Sequence, residues 1–168
     1  EMVDSKISLL PTGIVIVFGL VLNGAGVFTP AWIVASASYG NDTYRVSIGI
    51  VPYYTENPGW FNAASILMFT SFALYILMAL NFSMVCYRVH QSGYSRRIRK
   101  YIYSLALTAV FIIGNTITAV ILIGVNASTF NNIIQTYTLN YSTWLCVASA
   151  AILCSALKLL SEIEIGCR

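Results

Sequence analysis

Charge is what this sequence lacks. Of its 168 residues only 9% are charged, 58% are hydrophobic, and the mean hydropathy is +0.76. A water-soluble domain carries roughly 25% charged residues. Nine Lys+Arg and six Asp+Glu cannot wet the surface of a globule this size. The shortage excludes intrinsic disorder and a nucleic-acid-binding domain, which needs a basic face. Cysteine is scarce as well: there are four, and none lies between Thr29 and Trp60, which excludes a disulfide-rich secreted module. What remains is an integral membrane protein, a single domain whose core is built inside the bilayer.

Catalytic chemistry is also missing. The one histidine, His90, has no carboxylate or cysteine spaced to form a dyad. No metal-ligand spacing, phosphate-cradling glycine loop or pair of intramembrane acids is present. The expectation is a non-enzyme with no catalytic residues, cofactor or metal, and with no nucleic acid or small-molecule substrate as a partner.

What is present is long apolar runs. A spanning helix needs about 20 mostly apolar residues to cross some 30 Å of hydrocarbon. Four windows qualify, at 7–28, 61–87, 101–125 and 141–160, none with an ionisable Asp, Glu, Lys or Arg before its final turns. The first is too long for a signal-peptide core and lacks a basic flank, since Glu1, Asp4 and Lys6 nearly cancel. It reads as a retained helix. The expected fold class is therefore an all-α membrane protein, a left-handed four-transmembrane-helix bundle. Residues 1–168 form one domain, with segment 29–60 and segment 126–140 on one side, and segment 88–100 and tail 161–168 on the other.

Orientation follows from the distribution of cations. Arg88, Arg96, Arg97, Arg99 and Lys100 sit between the second and third windows with no acid among them. That positive-inside signal makes the 88–100 loop cytoplasmic, and with it both termini. The same cations are candidates for attraction to anionic inner-leaflet lipid, at about 1 kcal/mol each near the surface. Three acceptor triplets, at Asn41, Asn126 and Asn140, fall on the side assigned to the outside and are glycosylation candidates. A fourth, at Asn81, lies within the second span.

The first outer segment carries β-branched and aromatic runs, Trp32–Tyr39 and Tyr44–Val51, flanking Gly40-Asn41-Asp42-Thr43, which has hairpin-turn chemistry. The second outer segment, Thr129–Leu139, can supply a further strand. A lone hairpin is marginal in water, so a third strand and the helix ends are needed to hold it. A small extracellular β-sheet seated on the bundle is expected.

Polar and small residues within the spans mark helix contacts. Asn23, Asn81, Asn115, Thr116 and Thr118 are expected to face the bundle and hydrogen-bond between helices. A transport pathway is the lesser reading, because no ionisable residue lies at mid-membrane depth. Gly13, Gly19, Gly24 and Gly26, together with Ala151 and Ser155, are candidates for close helix approach, within the bundle or to an external partner. Cys146 and Cys154 read as packing residues, while Cys86 and Cys167, near the cytoplasmic face, are acylation candidates. Most tyrosines near the span ends read as an interfacial aromatic belt.

The order helix, β-rich first outer segment, two helices joined by a basic turn, and short second outer segment resembles the claudin superfamily. That group includes peripheral myelin proteins and the regulatory subunits of receptors and calcium channels. The family pattern of a Trp, then Gly-Leu-Trp, then two cysteines is met in part by Thr29-Pro30-Ala31-Trp32 and Ile48-Gly49-Ile50-Val51-Pro52-Tyr53. Val51 stands where the second Trp would be, and the family's cysteine pair is absent. Phe28-Thr29-Pro30-Ala31-Trp32 is also similar to the claudin-like four-span proteins of nematodes. The resemblance makes Trp32, Gly49 and Pro52 the candidate anchor of the ectodomain. It implies a plasma-membrane protein that works by contact. The first reading is an accessory subunit bound to an integral membrane partner such as a channel or receptor. The alternative is a self-associating adhesion or barrier protein of cell junctions.

Overall fold

The computed structural model describes residues 2–39, 42–51, 58–93, 96–129 and 135–166. Asn41, Pro52 and Cys167, singled out above, lie outside them. The chain runs as helix α1 (Met2–Phe28), strands β1 (Ile33–Tyr39) and β2 (Asp42–Ile48), helices α2 (Gly59–Ser92) and α3 (Arg96–Thr129), strand β3 (Gln135–Leu139) and helix α4 (Tyr141–Gly166). Four apolar spans lie within the helices, at Leu9–Phe28, Gly59–Gln91, Ile98–Ala127 and Tyr141–Glu164. Only 28–39% of each span is buried inside the bundle. The apolar remainder faces outward, as it must where the surrounding solvent is lipid.

The helices outrun their apolar windows. At about 1.5 Å per residue, the 34 residues of α2 make a rod of about 51 Å, well beyond the hydrocarbon thickness. The expected basic loop at 88–100 is consequently mostly helix, with Arg88 on α2 and Arg96, Arg97, Arg99 and Lys100 on α3. Gly93 stops α2. It takes φ 65°, which only glycine adopts without strain, and its N–H bonds back to the Val89 carbonyl.

α1 packs mainly along α4, and α2 along α3, so two antiparallel pairs face each other. The interior divides into two apolar clusters. One, toward the basic end, gathers Ile16, Tyr75, Met78, Phe82, Leu105, Ile112, Leu153 and Leu160. The other, toward the sheet, gathers Val27, Trp32, Ile50, Phe61, Met68, Ile123 and Cys146. Along every helix the residues between the two clusters include a buried polar side chain: Asn23, Ser71, Thr116 and Ser149.

The three-stranded antiparallel sheet has the order β2-β1-β3 and caps the end of the bundle opposite the basic turn. Its register pairs Ile33 with Ile48 and Leu139, Ala35 with Val46 and Tyr137, and Ala37 with Tyr44. Paired residues share a face of a pleated sheet, so these eight lie on one largely apolar face, which Gln135, paired with Ala37, also joins. Within the expected 129–139 segment, Thr129 belongs to α3 and Gln135–Leu139 form β3.

Candidate functional site

Trp32 joins the sheet to the helices. It is fully buried, and its indole Nε1 donates to the Gly26 carbonyl near the end of α1 at 2.8 Å. Its backbone N–H donates to Ile48 at 3.0 Å, continuing the β1–β2 ladder. Its carbonyl accepts from the Asn140 N–H at 3.0 Å and from Thr143 Oγ1 at 3.1 Å. One residue thus binds α1, β2 and the start of α4. Gly49 completes the corner, because a Cβ there would collide with Pro30 backbone atoms.

Below this corner α1 lies close against its neighbours. A Cβ on Gly26 would come within 2.8 Å of the Ser142 carbonyl and would overlap Cys146 Sγ, so α1 and α4 meet backbone to backbone there. Gly13, Gly19 and Gly24 instead seat rings from α2, those of Phe82, Tyr75 and Phe72 respectively. Ala151 and Ser155 correct the expectation of an internal contact on α4. Both are exposed, and the face turned inward is that of Cys146, Ser149, Leu153 and Ala156. Cys154 is likewise exposed and is not a packing residue.

The polar residues within the spans divide by partner. Asn81 Nδ2 donates across to Ser104 Oγ of α3 at 3.3 Å. Thr116 and Thr118 instead bond back to their own helix, at Ile112 and Gly114, which corrects the expectation of bridges there. Asn115 is half-buried. Asn23 faces the interior as expected, yet neither Nδ2 nor Oδ1 finds a hydrogen-bond partner, nor does the buried Ser71 Oγ. The interhelical polar link that sequence reasoning missed is Tyr75. Its hydroxyl lies 2.6 Å from Ser149 Oγ and 3.0 Å from the Ser149 carbonyl, and Ser149 Oγ donates to the Gly19 carbonyl at 3.0 Å. A phenol in the middle of an apolar span, needing a partner for its O–H, was the available signal.

Two glycosylation candidates lie on or beside helices. Asn126 is not in a loop: it belongs to α3, and its Nδ2 donates to the Leu122 carbonyl at 2.7 Å. Asn140 directly precedes α4, with its Oδ1 accepting from the Tyr141 N–H and its own N–H held by Trp32. At the basic end, Glu164 accepts from Arg99 Nε at 3.1 Å and from the Tyr103 hydroxyl at 2.6 Å, tying α3 to α4. The Arg88 guanidinium lies 4.9 Å over the Tyr101 ring. Cys86 is half-buried on α2.

The surface most suited to contact is on the sheet. β1 lies between β2 and β3, which leaves β2 at an edge. Tyr44, Val46 and Ile48 follow each other at period two along β2 on the apolar face, 62%, 61% and 36% exposed. Ile33, the register partner of Ile48, is 3% exposed. The face is covered where it meets the helices and bare along the edge strand. An apolar row on an unpaired strand edge is surface available for contact.

Compared with known families, the sequence matches the family described as tight junction protein, claudin-like, over residues 2–164. The chain belongs to the claudin-like family. It is a multi-pass membrane protein of claudin type, with the bundle and sheet that the resemblance implied. No curated protein matches the chain with significance. Where the superfamily pattern has two cysteines between the first two helices, this claudin-like chain holds its sheet with the hydrogen bonds of Trp32 and the Gly49–Pro30 contact. Among the described residues, no group of three or more His, Cys, Asp or Glu side chains is placed to hold a metal ion.

Proposed function

We propose that this claudin-like protein is a non-enzymatic accessory subunit. It binds beside a larger integral membrane protein, a channel or receptor, and grips that partner's outer domain with the β2 face. The observation that supports this reading is the Tyr44-Val46-Ile48 row, bare on a sheet edge that Trp32 holds to the helices. A rigidly mounted apolar row presents a pre-organised binding surface, so little ordering entropy is lost on contact. The cations on the ends of α2 and α3 support an orientation with that end in the cytoplasm of a plasma-membrane protein. The sheet then faces outside, with both ends of the described chain inside.

A second reading is favoured by the family's own description as tight junction protein. In it the same β2 face joins copies of this chain at cell contacts. One pair of experiments separates them. Gentle-detergent purification from native tissue, followed by mass spectrometry, brings down an integral membrane partner in fixed ratio under the first reading. Expression in non-adherent cells produces aggregation and continuous contact-site strands under the second. Val46→Lys abolishes whichever association occurs, and leaves the melting temperature unchanged because Val46 is exposed.

A further inference from the structure

The outward face of α4 carries ionisable side chains of both signs. Lys158 and Glu162 are exposed and one turn apart on the same side of the helix. Measured from Tyr141, α4 has risen about 26 Å at Lys158, inside a hydrocarbon layer of about 30 Å. Glu162 follows within the Tyr141–Glu164 span. Neither has an ion-pair partner among the described residues, since the acid of α4 that pairs with Arg99 is Glu164. Ionisable side chains on a spanning segment are rare, and they are kept where a partner meets them.

The rest of that face differs from those of the other spans. Spacings of four and three align Trp144, Ala148, Ala151 and Ser155 with Lys158 and Glu162, and all six are exposed. Among the described residues, the large apolar side chains exposed on α4 are Tyr141 and Trp144, both at the sheet end. α1, α2 and α3 instead turn large apolar side chains outward along their length. Lipid therefore finds little to pack on along α4 below Trp144.

We propose that this face is a dimer interface, on which a second copy of the chain lays its own α4 in the same membrane. Copies inserted the same way round join one face to itself with parallel helices, related by a two-fold axis along the bundle. In a parallel pair with this spacing, each residue of the line packs between layers of the facing helix. Lys158 of one copy then meets Glu162 of the other, and the symmetry repeats the pair. Charge selects the occupant: the face is complementary to itself, whereas an anionic headgroup answers Lys158 alone. Ala148, Ala151 and Ser155 let the two backbones come close enough for the charged side chains to reach. No residue of the β2 row takes part, so the dimer is independent of the function proposed above.

The test is Förster transfer between labelled copies of the full chain in phosphatidylcholine vesicles, followed as the protein-to-lipid ratio is lowered. Wild-type protein is expected to dimerise. Lys158→Glu alone and Glu162→Lys alone set like charges against each other, and each is expected to lower the association constant about tenfold. Mixing these two variants restores association between them, because each supplies the sign that the other lacks. A folding defect gives no such rescue. Ala151→Phe, which holds the backbones apart, also lowers transfer, while Ile117→Phe on the exposed face of α3 leaves it unchanged. The proposal is overturned if wild-type transfer does not exceed that of random proximity, if either single reversal dimerises like wild type, or if the mixed variants fail to associate. It is also overturned if the vesicles show no dimer and Lys158→Glu instead loses an integral membrane protein that copurifies with wild type, which assigns the face to that protein.

Discussion

The hydroxyl of Tyr75 on α2 lies 2.6 Å from Oγ of Ser149 on α4, at the level where the two apolar clusters of the bundle meet. Ser149 Oγ also reaches the Gly19 carbonyl and the Tyr75 hydroxyl also reaches the Ser149 carbonyl, so two hydroxyl protons are shared among three contacts. Three helices are thereby linked through one serine. Interhelical hydrogen bonds of this kind contribute about 0.6–1.7 kcal/mol in a membrane, because the separated helices find other partners there. Tyr75→Phe keeps the ring against Gly19 and removes only the O–H. It is expected to cost about 1 kcal/mol, with a non-zero coupling to Ser149→Ala in a double-mutant cycle of thermal unfolding in detergent. Strictly additive effects would show that the contact carries no energy.

Trp32 carries a larger share of the structure at the sheet end. Trp32→Ala removes a fully buried ring and is expected to cost about 3–5 kcal/mol. Trp32→Phe retains most of the packing but orphans the Gly26 carbonyl, for about 1–3 kcal/mol. Limited proteolysis of the strand segment between α1 and α2 should rise in both variants, more in the alanine form. Protease resistance equal to wild type in Trp32→Ala would refute the corner as the anchor.

The glycines separate into those under a neighbour and those in the open. Gly26→Val drives a side chain into Ser142 and Cys146, separating α1 from α4 at about 1–3 kcal/mol. A Cβ on Gly114 would meet nothing within 4 Å. Gly114→Ala should therefore stabilise α3 by about 0.5–1 kcal/mol through lost backbone freedom in the unfolded chain. Opposite signs in thermal unfolding are the expected result.

Asn23 is fully buried with neither side-chain polar atom bonded. Desolvating an unpaired polar group costs about 1–3 kcal/mol. Asn23→Leu, of similar shape, is expected to raise the melting temperature in detergent. A fall of several degrees would mean that the amide is engaged in the folded membrane protein.

Much of the architecture was legible in the residues alone, and the reason is solvent. Windows as apolar as Ile14–Leu22 have one stable home, and the bilayer admits them as helices because each backbone group must find its partner within the segment. The sheet was legible from Trp32–Tyr39 and Tyr44–Val51, where β-branched and aromatic residues flank turn chemistry. Trp32 was found through the family pattern. Its burial and its four bonds are properties of the corner where α1, β2 and α4 meet.

The amino-acid order by itself determined that the chain lives in lipid, crosses it as four helices and carries a strand-forming segment between the first two. Tertiary structure decided which face of each helix turns inward. Apolar residues surround each span, so hydropathy has no periodic contrast from which to read a face. That is why Ala151 and Ser155 face outward while Ser149 meets Tyr75, and why Asn126 sits on a helix rather than in a loop. In a membrane, packing shape chooses the interior, and shape exists only once the helices stand side by side.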